Sequence, residues 1–292
     1  MKSALVGALR AQPSVAVGGA VLALMALIAL LAPLIAPLDP AQLDPSGRNA
    51  LPGTVSELRL DDGGTRTVRH WFGTDQLGRD IFSRVVHGAR VSLVVGLAVA
   101  GLAVVAGLGL GLVAGYMRAL DGVLMRLMDG LMAIPPILMA LALVALWGGG
   151  LVTVVLAVTI PEVPRLARLV RAVVLSVREE PYVEAAVGLG TPAALVMVRH
   201  ILPSTIAPVI VQATYIAASA ILIEAILSFL GVGIPTEIPS WGNIMAEGRL
   251  LFRVYPHNIL FPGLFLTLTV LAVNMLGDGL RDALDPKLQP RP

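Results

Sequence analysis

Cysteine is absent from the 292-residue chain. That excludes disulfides, thiolate metal sites and thiol catalysis. Lysine is nearly absent, occurring only as Lys2 and Lys287. A phosphate-binding loop needs Gly-x-x-x-x-Gly-Lys followed by Ser or Thr, because its lysine reaches the terminal phosphates. Neither lysine fits, so the chain holds no nucleotide site of that kind. Charge is scarce as well, at 14% of residues, against about 25% in soluble domains. A formal net charge of +2 leaves no basic footprint for nucleic acid. The histidines, His70, His87, His200 and His257, show no metal-ligand spacing and no His-Glu-x-x-His pattern. Gly-x-Ser-x-Gly is missing too. The expectation is therefore no catalytic residue, no metal ligand and no cofactor bound by this chain.

What is abundant is apolar. Hydrophobic residues make up 57% of the chain and the mean hydropathy is +0.85. This composition points to a bilayer as solvent. Lys2 and Arg10 precede an apolar run from Val15 to Ile35. A signal peptide would have a shorter core and a small-residue cleavage site. The run reads as a retained first span, since crossing takes roughly 20 apolar residues. Five more runs follow: Ala89–Tyr116, Val123–Trp147, Leu151–Val174, Ile206–Leu230 and Ile259–Leu280. Backbone groups in lipid must be paired internally, which leaves helices or closed barrels. Continuous apolar runs without alternation choose helices. The fold class expected is an all-α integral membrane bundle of about six transmembrane helices.

The polar stretch Leu38–Gly88 divides the chain. Residues 1–37 form the N-terminus and first helix, 38–88 an extracytoplasmic loop, and 89–292 a core of five helices. Within the loop, Arg79–Arg90 places Ile81, Phe82, Val85 and Val86 near one face, the pattern of a short interfacial helix. Arginines between Arg118 and Arg199, and Lys287 with Arg291 in the tail, favour both termini in the cytoplasm. Gly107, Gly111 and Gly115 recur every four residues. This spacing serves close helix packing, either within the chain or at a subunit seam. Pro135-Pro136 removes backbone donors and should kink the third span.

Residues 178–203 cannot all lie in lipid, since they carry Arg178, Glu179, Glu180, Glu184, Arg199 and His200. Their grammar is helix, turn, helix. Pro181 suits a first helical turn. Gly190 suits the left-handed residue that ends a helix. Thr191 then reads as an N-cap before Pro192, and Pro203 as the end of the second piece. Such a bent pair, carried on two spans, is a lever for a partner to grip.

Glu184-Ala185-Ala186, then Gly190, then Leu202-Pro203, resembles the EAA loop of ABC-importer permeases. His200 stands where the general pattern has Ile, a departure typical of the dipeptide/oligopeptide/nickel branch. Trp71-Phe-Gly-Thr-Asp-Gln-Leu-Gly-Arg-Asp80, Gly88-Ala-Arg-Val-Ser-Leu93, Glu224 with Leu227-Ser-Phe-Leu-Gly231, Pro239-Ser-Trp-Gly242 and Gly277-Asp-Gly-Leu-Arg-Asp-Ala-Leu-Asp-Pro286 resemble the same branch. The resemblance runs from about Phe72 to Leu288 and points to the second permease subunit type; residues 41–68 match nothing familiar.

The resemblance implies a permease that translocates small peptides, or a related solute such as nickel, by alternating access. It implies a second permease subunit as heterodimer partner, two ABC ATPase subunits holding ATP and Mg, and an extracytoplasmic binding protein delivering cargo to loops that include Trp241. Glu184, Ala185, Ala186, Gly190, His200, Leu202 and Pro203 would form the ATPase-coupling interface, the alanines being small because the partner comes close. Glu224 sits in an apolar run, where an unpaired charge costs at least about 2.5–3.5 kcal/mol. It either lines the path or pairs with a loop arginine. Glu162 and Arg165 interrupt the fourth span and are expected to face the bundle interior or a water-filled path. Asp278 and Arg281 are expected to pair near the end of the last helix. The rivals are a channel or secondary carrier, which leaves the lever unexplained, a membrane enzyme, which needs clustered catalytic groups inside the spans, and a scaffold, which predicts no flux.

Overall fold

The computed structural model describes residues 13–59 and 65–284. Lys2, Arg10, Lys287, Arg291 and the Asp285-Pro286 end of the last motif lie outside the described residues. In order, the elements are α1 (Pro13–Ile35), a 3-10 turn (Pro45–Gly47), strands β1 (Val55–Arg59) and β2 (Thr65–Arg69), α2 (Ile81–Tyr116), α3 (Arg118–Met132), α4 (Pro136–Trp147), α5 (Leu151–Val177), α6 (Pro181–Gly188), α7 (Ala193–Val196), α8 (Leu202–Phe229), α9 (Trp241–Gly248) and α10 (His257–Leu284).

Four helices are each long and apolar enough to cross a membrane: α1, α2, the continuous stretch Ala193–Phe229, and α10. Two further helices, α3 and α4, pass that test only when taken together. The Ala133–Pro135 link turns α3 against α4 by 85°, so the expected kink is a full break. Pro135 and Pro136 together remove two donors, and α4 restarts with proline in its first turn. The remaining run, α5, is 27 residues long but carries Glu162, Arg165, Arg168 and Arg171. Lipid alone does not tolerate that load, and α5 is instead held inside the bundle.

The glycine stripe explains how. A Cβ on Gly107 would lie 2.8 Å from the Leu166 Cβ, and one on Gly111 or Gly115 would lie 2.6 Å from the Cβ of Val170 or Val174. The stripe is therefore an intramolecular seam between α2 and α5, which lets their backbones approach closely. Val95, Val99, Leu166, Val170, Ile216 and Leu227 form the core around it. A second close approach joins α1 to α10: a Cβ on Gly18 would meet the Ala272 carbonyl at 2.7 Å. Near the same seam Gly279 faces Val15, so the start of α1 and the end of α10 share one end of the bundle.

The opposite end is a cap built from residues 36–59, 65–80 and 230–256. The expected interfacial helix is not separate: Ile81, Val85, Val86 and Ala89 are buried in the first turns of α2. Ile81, Val85 and Ala89 pack with Ala29, Ile221, Trp241 and Ile244, so this apolar face is used by protein rather than lipid. Asp80 caps α2 by accepting from the Ser83 backbone N–H at 2.7 Å. The otherwise helical chain also contains a small antiparallel hairpin, β1 with β2, pairing Val55 with Arg69.

Candidate coupling and translocation site

At the end opposite the cap, α6 and α7 form the bent pair expected from the sequence. Pro181 occupies the first turn of α6. Gly190 has φ +79°, its N–H bonds the Val187 carbonyl, and the Thr191 N–H bonds the Ala186 carbonyl. This is a Schellman ending, which requires a left-handed residue where glycine costs least. Thr191 is not the N-cap: α7 begins at Ala193 after Pro192, and no side-chain hydrogen bond caps it. Pro203 does not end the second piece either. A π turn at Met197–Ile201 carries the helix into α8, with the Leu202 N–H reaching the Met197 carbonyl. The wider turn accommodates a proline that lacks a donor and crowds the preceding turn.

The pair has two faces. Val183, Ala186, Val196 and Ile201 are buried, and three of them join the main core. Ala186 is buried within its own chain, where the expectation had it facing a partner. Glu184, Ala185 and Gly190 are exposed, as are Tyr182, Val187 and Leu189, the last 88% accessible. His200 and Leu202 are half-buried and Pro203 is exposed. Tyr182 reaches the His200 carbonyl at 3.4 Å. Arg178 donates to the Gly115 carbonyl at 3.1 Å, tying the root of the lever to α2. The exposed knuckle is thus joined to α5, α8 and α2.

Three arginines of α5 are each paired. Arg165 donates to Glu162 Oε2 at 3.0 Å, and Glu162 also accepts from Ser219 of α8 at 3.1 Å. Glu162 is fully buried, and the Arg165 side chain is partly open. Arg168 pairs with Asp129, and Arg171 pairs with Asp121, both acids on α3. These two bridges were missed from sequence. Partners 39 and 50 residues apart carry no local sequence signal.

Glu224 is fully buried and accepts from Ser228 Oγ at 2.8 Å. Among the described residues no arginine pairs with it, which removes one of its two expected roles. Asp278 accepts from Tyr215 at 2.5 Å rather than pairing with Arg281.

The cap is locked by charge. Asp75 accepts from Arg79 Nε at 2.7 Å and also from Arg84; Glu247 of α9 accepts from both arginines. Burial disfavours the Arg79 charge, but Asp75 and Glu247 outweigh it and raise its pKa above the ordinary value. His70 bridges Asp80 and Ser56 at 2.8 Å each, joining the hairpin to the α2 cap. Trp241, expected among loops that receive cargo, is fully buried and donates to the Val85 carbonyl at 3.0 Å. It anchors α9 on α2, because a buried indole N–H needs a partner. Trp71 is the exposed tryptophan of the cap, under Arg69.

Residues 107–290 match the family described as "Binding-protein-dependent transport system inner membrane component". Residues 6–52 match the N-terminal TM domain of oligopeptide transport permease C. The chain is 50% identical over 280 residues to a probable peptide ABC transporter permease protein of Sinorhizobium fredii, covering 96% of this chain and 91% of the relative. It is 42% identical over 264 residues to a dipeptide transport system permease protein of Alkalihalophilus pseudofirmus, covering 90% and 82%. It is 44% identical over 224 residues to a glutathione transport system permease protein of Escherichia coli, covering 76% and 74%. A solved structure of inward-facing conformations of the MetNI methionine ABC transporter shares the fold, with TM-score 0.57 and 16% identity over 69% of this chain and 97% of that one.

The chain belongs to the family of inner-membrane components of binding-protein-dependent transport systems. It is a multi-pass, non-catalytic permease subunit that works with ATPase and substrate-binding components.

Proposed function

We propose that the chain is one of two different permease subunits of a peptide importer, and that it moves short peptides inward by alternating access. The names of its relatives, which span peptide, dipeptide and glutathione systems, support that cargo class. The lever carries the mechanism. Glu184, Ala185 and Gly190 lie on its exposed rim, with Leu189 as the protruding knuckle; His200, Leu202 and Pro203 sit at its junction with α8. Two ABC ATPase subunits hold ATP and Mg, and this chain binds no cofactor. Closure of the ATPases on nucleotide would push the knuckle and rock α5 and α8. A switch of this kind requires that nucleotide and loaded binding protein favour different states. The lever end and both termini face the cytoplasm, and the cap faces outward toward the binding protein.

Glu162, Arg165 and Glu224 belong to the path or its walls. Glu162 bridges α5 to α8 through Ser219, and Arg165 pairs with it on α5; these are the helices the lever would move. Glu224 has one oxygen held by Ser228 and the other without a partner. An ionisable group inside a membrane bundle marks a pathway or a functional contact.

The test is ATP-dependent uptake of a radiolabelled dipeptide by vesicles holding the four-subunit membrane complex and its binding protein. Uptake that needs ATP and stops with Leu189→Asp supports the reading. ATP-independent flux would favour a carrier, and absence of any peptide uptake by an assembled, ATP-hydrolysing complex would remove peptides as cargo.

A further inference from the structure

The lever end of the bundle holds a cavity of about 520 Å³ between α5, α8 and α10. Its walls include Leu169, Ser204, Pro208, Gln212, Tyr215 and Arg281. The size falls within the range of small-molecule sites, about 300–1,000 Å³. Greasy walls with a few convergent polar groups are also the usual make-up of such sites. Its geometry is set by tight packing just above it: a Cβ on Gly277 would lie 2.3 Å from Thr214 Oγ1, so α8 and α10 touch there and open below.

The polar groups continue upward as a stripe. On α8, Gln212, Tyr215 and Ser219 follow at spacings of three and four, which is one helix face. On α5, Arg165 lies one turn above Leu169 and is bonded to Glu162, which Ser219 also reaches. On α10, Asp278 receives the Tyr215 hydroxyl one turn above the level of Arg281. Two levels result, each with one carboxylate and one guanidinium: Glu162 with Arg165, and Asp278 with Arg281. Among the described residues Arg281 has no carboxylate partner, and it is exposed at the cavity.

We propose that this groove binds a zwitterionic peptide through its free termini, Arg281 receiving the carboxylate and the Tyr215 oxygen, whose own proton goes to Asp278, accepting from the ammonium. Guanidinium is suited to carboxylate because it presents parallel N–H donors. Gln212 and Ser204 offer both donors and acceptors to the peptide bond between the termini. The balanced charge of each level matches a net-neutral cargo with separated charges and disfavours a simple ion of either sign. The inference rests on the peptide-importer reading and names which part of a peptide this chain recognises.

The test uses the lack of cysteine in the chain. Ala207→Cys, on the cavity wall, is labelled with a membrane-impermeant maleimide in inside-out vesicles carrying the assembled transporter, and Ser204→Cys serves as a second probe. A saturating dipeptide with free termini is expected to slow labelling by about ten-fold, the effect of ten times its dissociation constant. The N-acetylated dipeptide amide should give no protection, and Arg281→Gln should abolish protection by the free dipeptide. Absence of protection at both probes, or equal protection by the blocked peptide, would overturn the site. If cells carrying the same transporter still take up the dipeptide, the peptide-importer reading survives that failure. If the native assembly takes up no peptide, both fall together.

Discussion

Arg171 grips Asp121 with both arms of its guanidinium, Nη2 lying 2.6 Å from Oδ2 while Nε reaches Oδ1, across 50 residues of sequence. The fork fixes the first half of the broken pair, α3, to the helix that becomes the root of the lever. A fork of this kind adds orientation as well as attraction. The charge that would keep α5 out of lipid is thus used to hold the moving parts in register.

This relationship predicts a coupling defect. Asp121→Asn should leave the complex assembled and lower transport per ATP hydrolysed. A coupling loss of about 0.5–2 kcal/mol is the scale for residues along such a network. The exchanged pair Asp121→Arg with Arg171→Asp should recover part of the transport, and failure of every single variant to change the ratio would show the bridge to be incidental.

At Gly190 the prediction is set by backbone. A left-handed conformation costs an L-residue about 1–2 kcal/mol, and asparagine tolerates it best after glycine. No heavy atom lies within 4 Å of a Cβ placed there, so size alone is not the obstacle. Gly190→Asn should keep coupled uptake, whereas Gly190→Val should keep ATPase activity and lose uptake. Equal behaviour of the two would contradict the Schellman ending as the feature that matters.

The glycine seam gives a folding prediction. Gly111→Leu would drive a side chain into Val170 and the Ala167 carbonyl, both already within 2.6 Å of a Cβ. Overpacking of this kind costs about 1–3 kcal/mol or more. Thermal unfolding in detergent should shift down for Gly111→Leu and stay near native for Gly109→Leu, whose Cβ meets nothing.

In the cap, Glu247→Ala would leave Arg79 and Arg84 sharing Asp75 alone. Breaking a buried ion pair by removing one partner costs about 3–5 kcal/mol, and partial exposure of Glu247 places this case at the lower end. Limited proteolysis of the 36–80 segment should accelerate in that variant while ATPase retention by the complex is unchanged.

Local rules made the lever readable from sequence, because Pro181 and Gly190 are constrained by their own dihedral angles. The same rules failed at Thr191, where α7 starts after Pro192 with no side-chain cap, and at Pro203, where a π turn offered a way through that no single-residue preference announces. The break at Pro135-Pro136 was legible as a disturbance, but its 85° angle depends on what α3 packs against. Partners lying 39 and 50 residues apart, as for Arg168 and Arg171, leave no periodic trace. Trp241 and Glu224 show the same limit: their types flagged them, but only the fold shows Trp241 spent on an α2 carbonyl and Glu224 held by Ser228.

The central claim is that the exposed knuckle at Leu189 and Glu184 is where the ATPase attaches and drives the permease. Its most direct test is retention of the ABC ATPase on the affinity-purified permease pair in mild detergent. The account predicts retention with the native chain and loss with Leu189→Asp or Glu184→Arg, the second permease staying bound throughout. An ATPase that remains bound to both variants, or one never retained by the well-folded native pair, would contradict it.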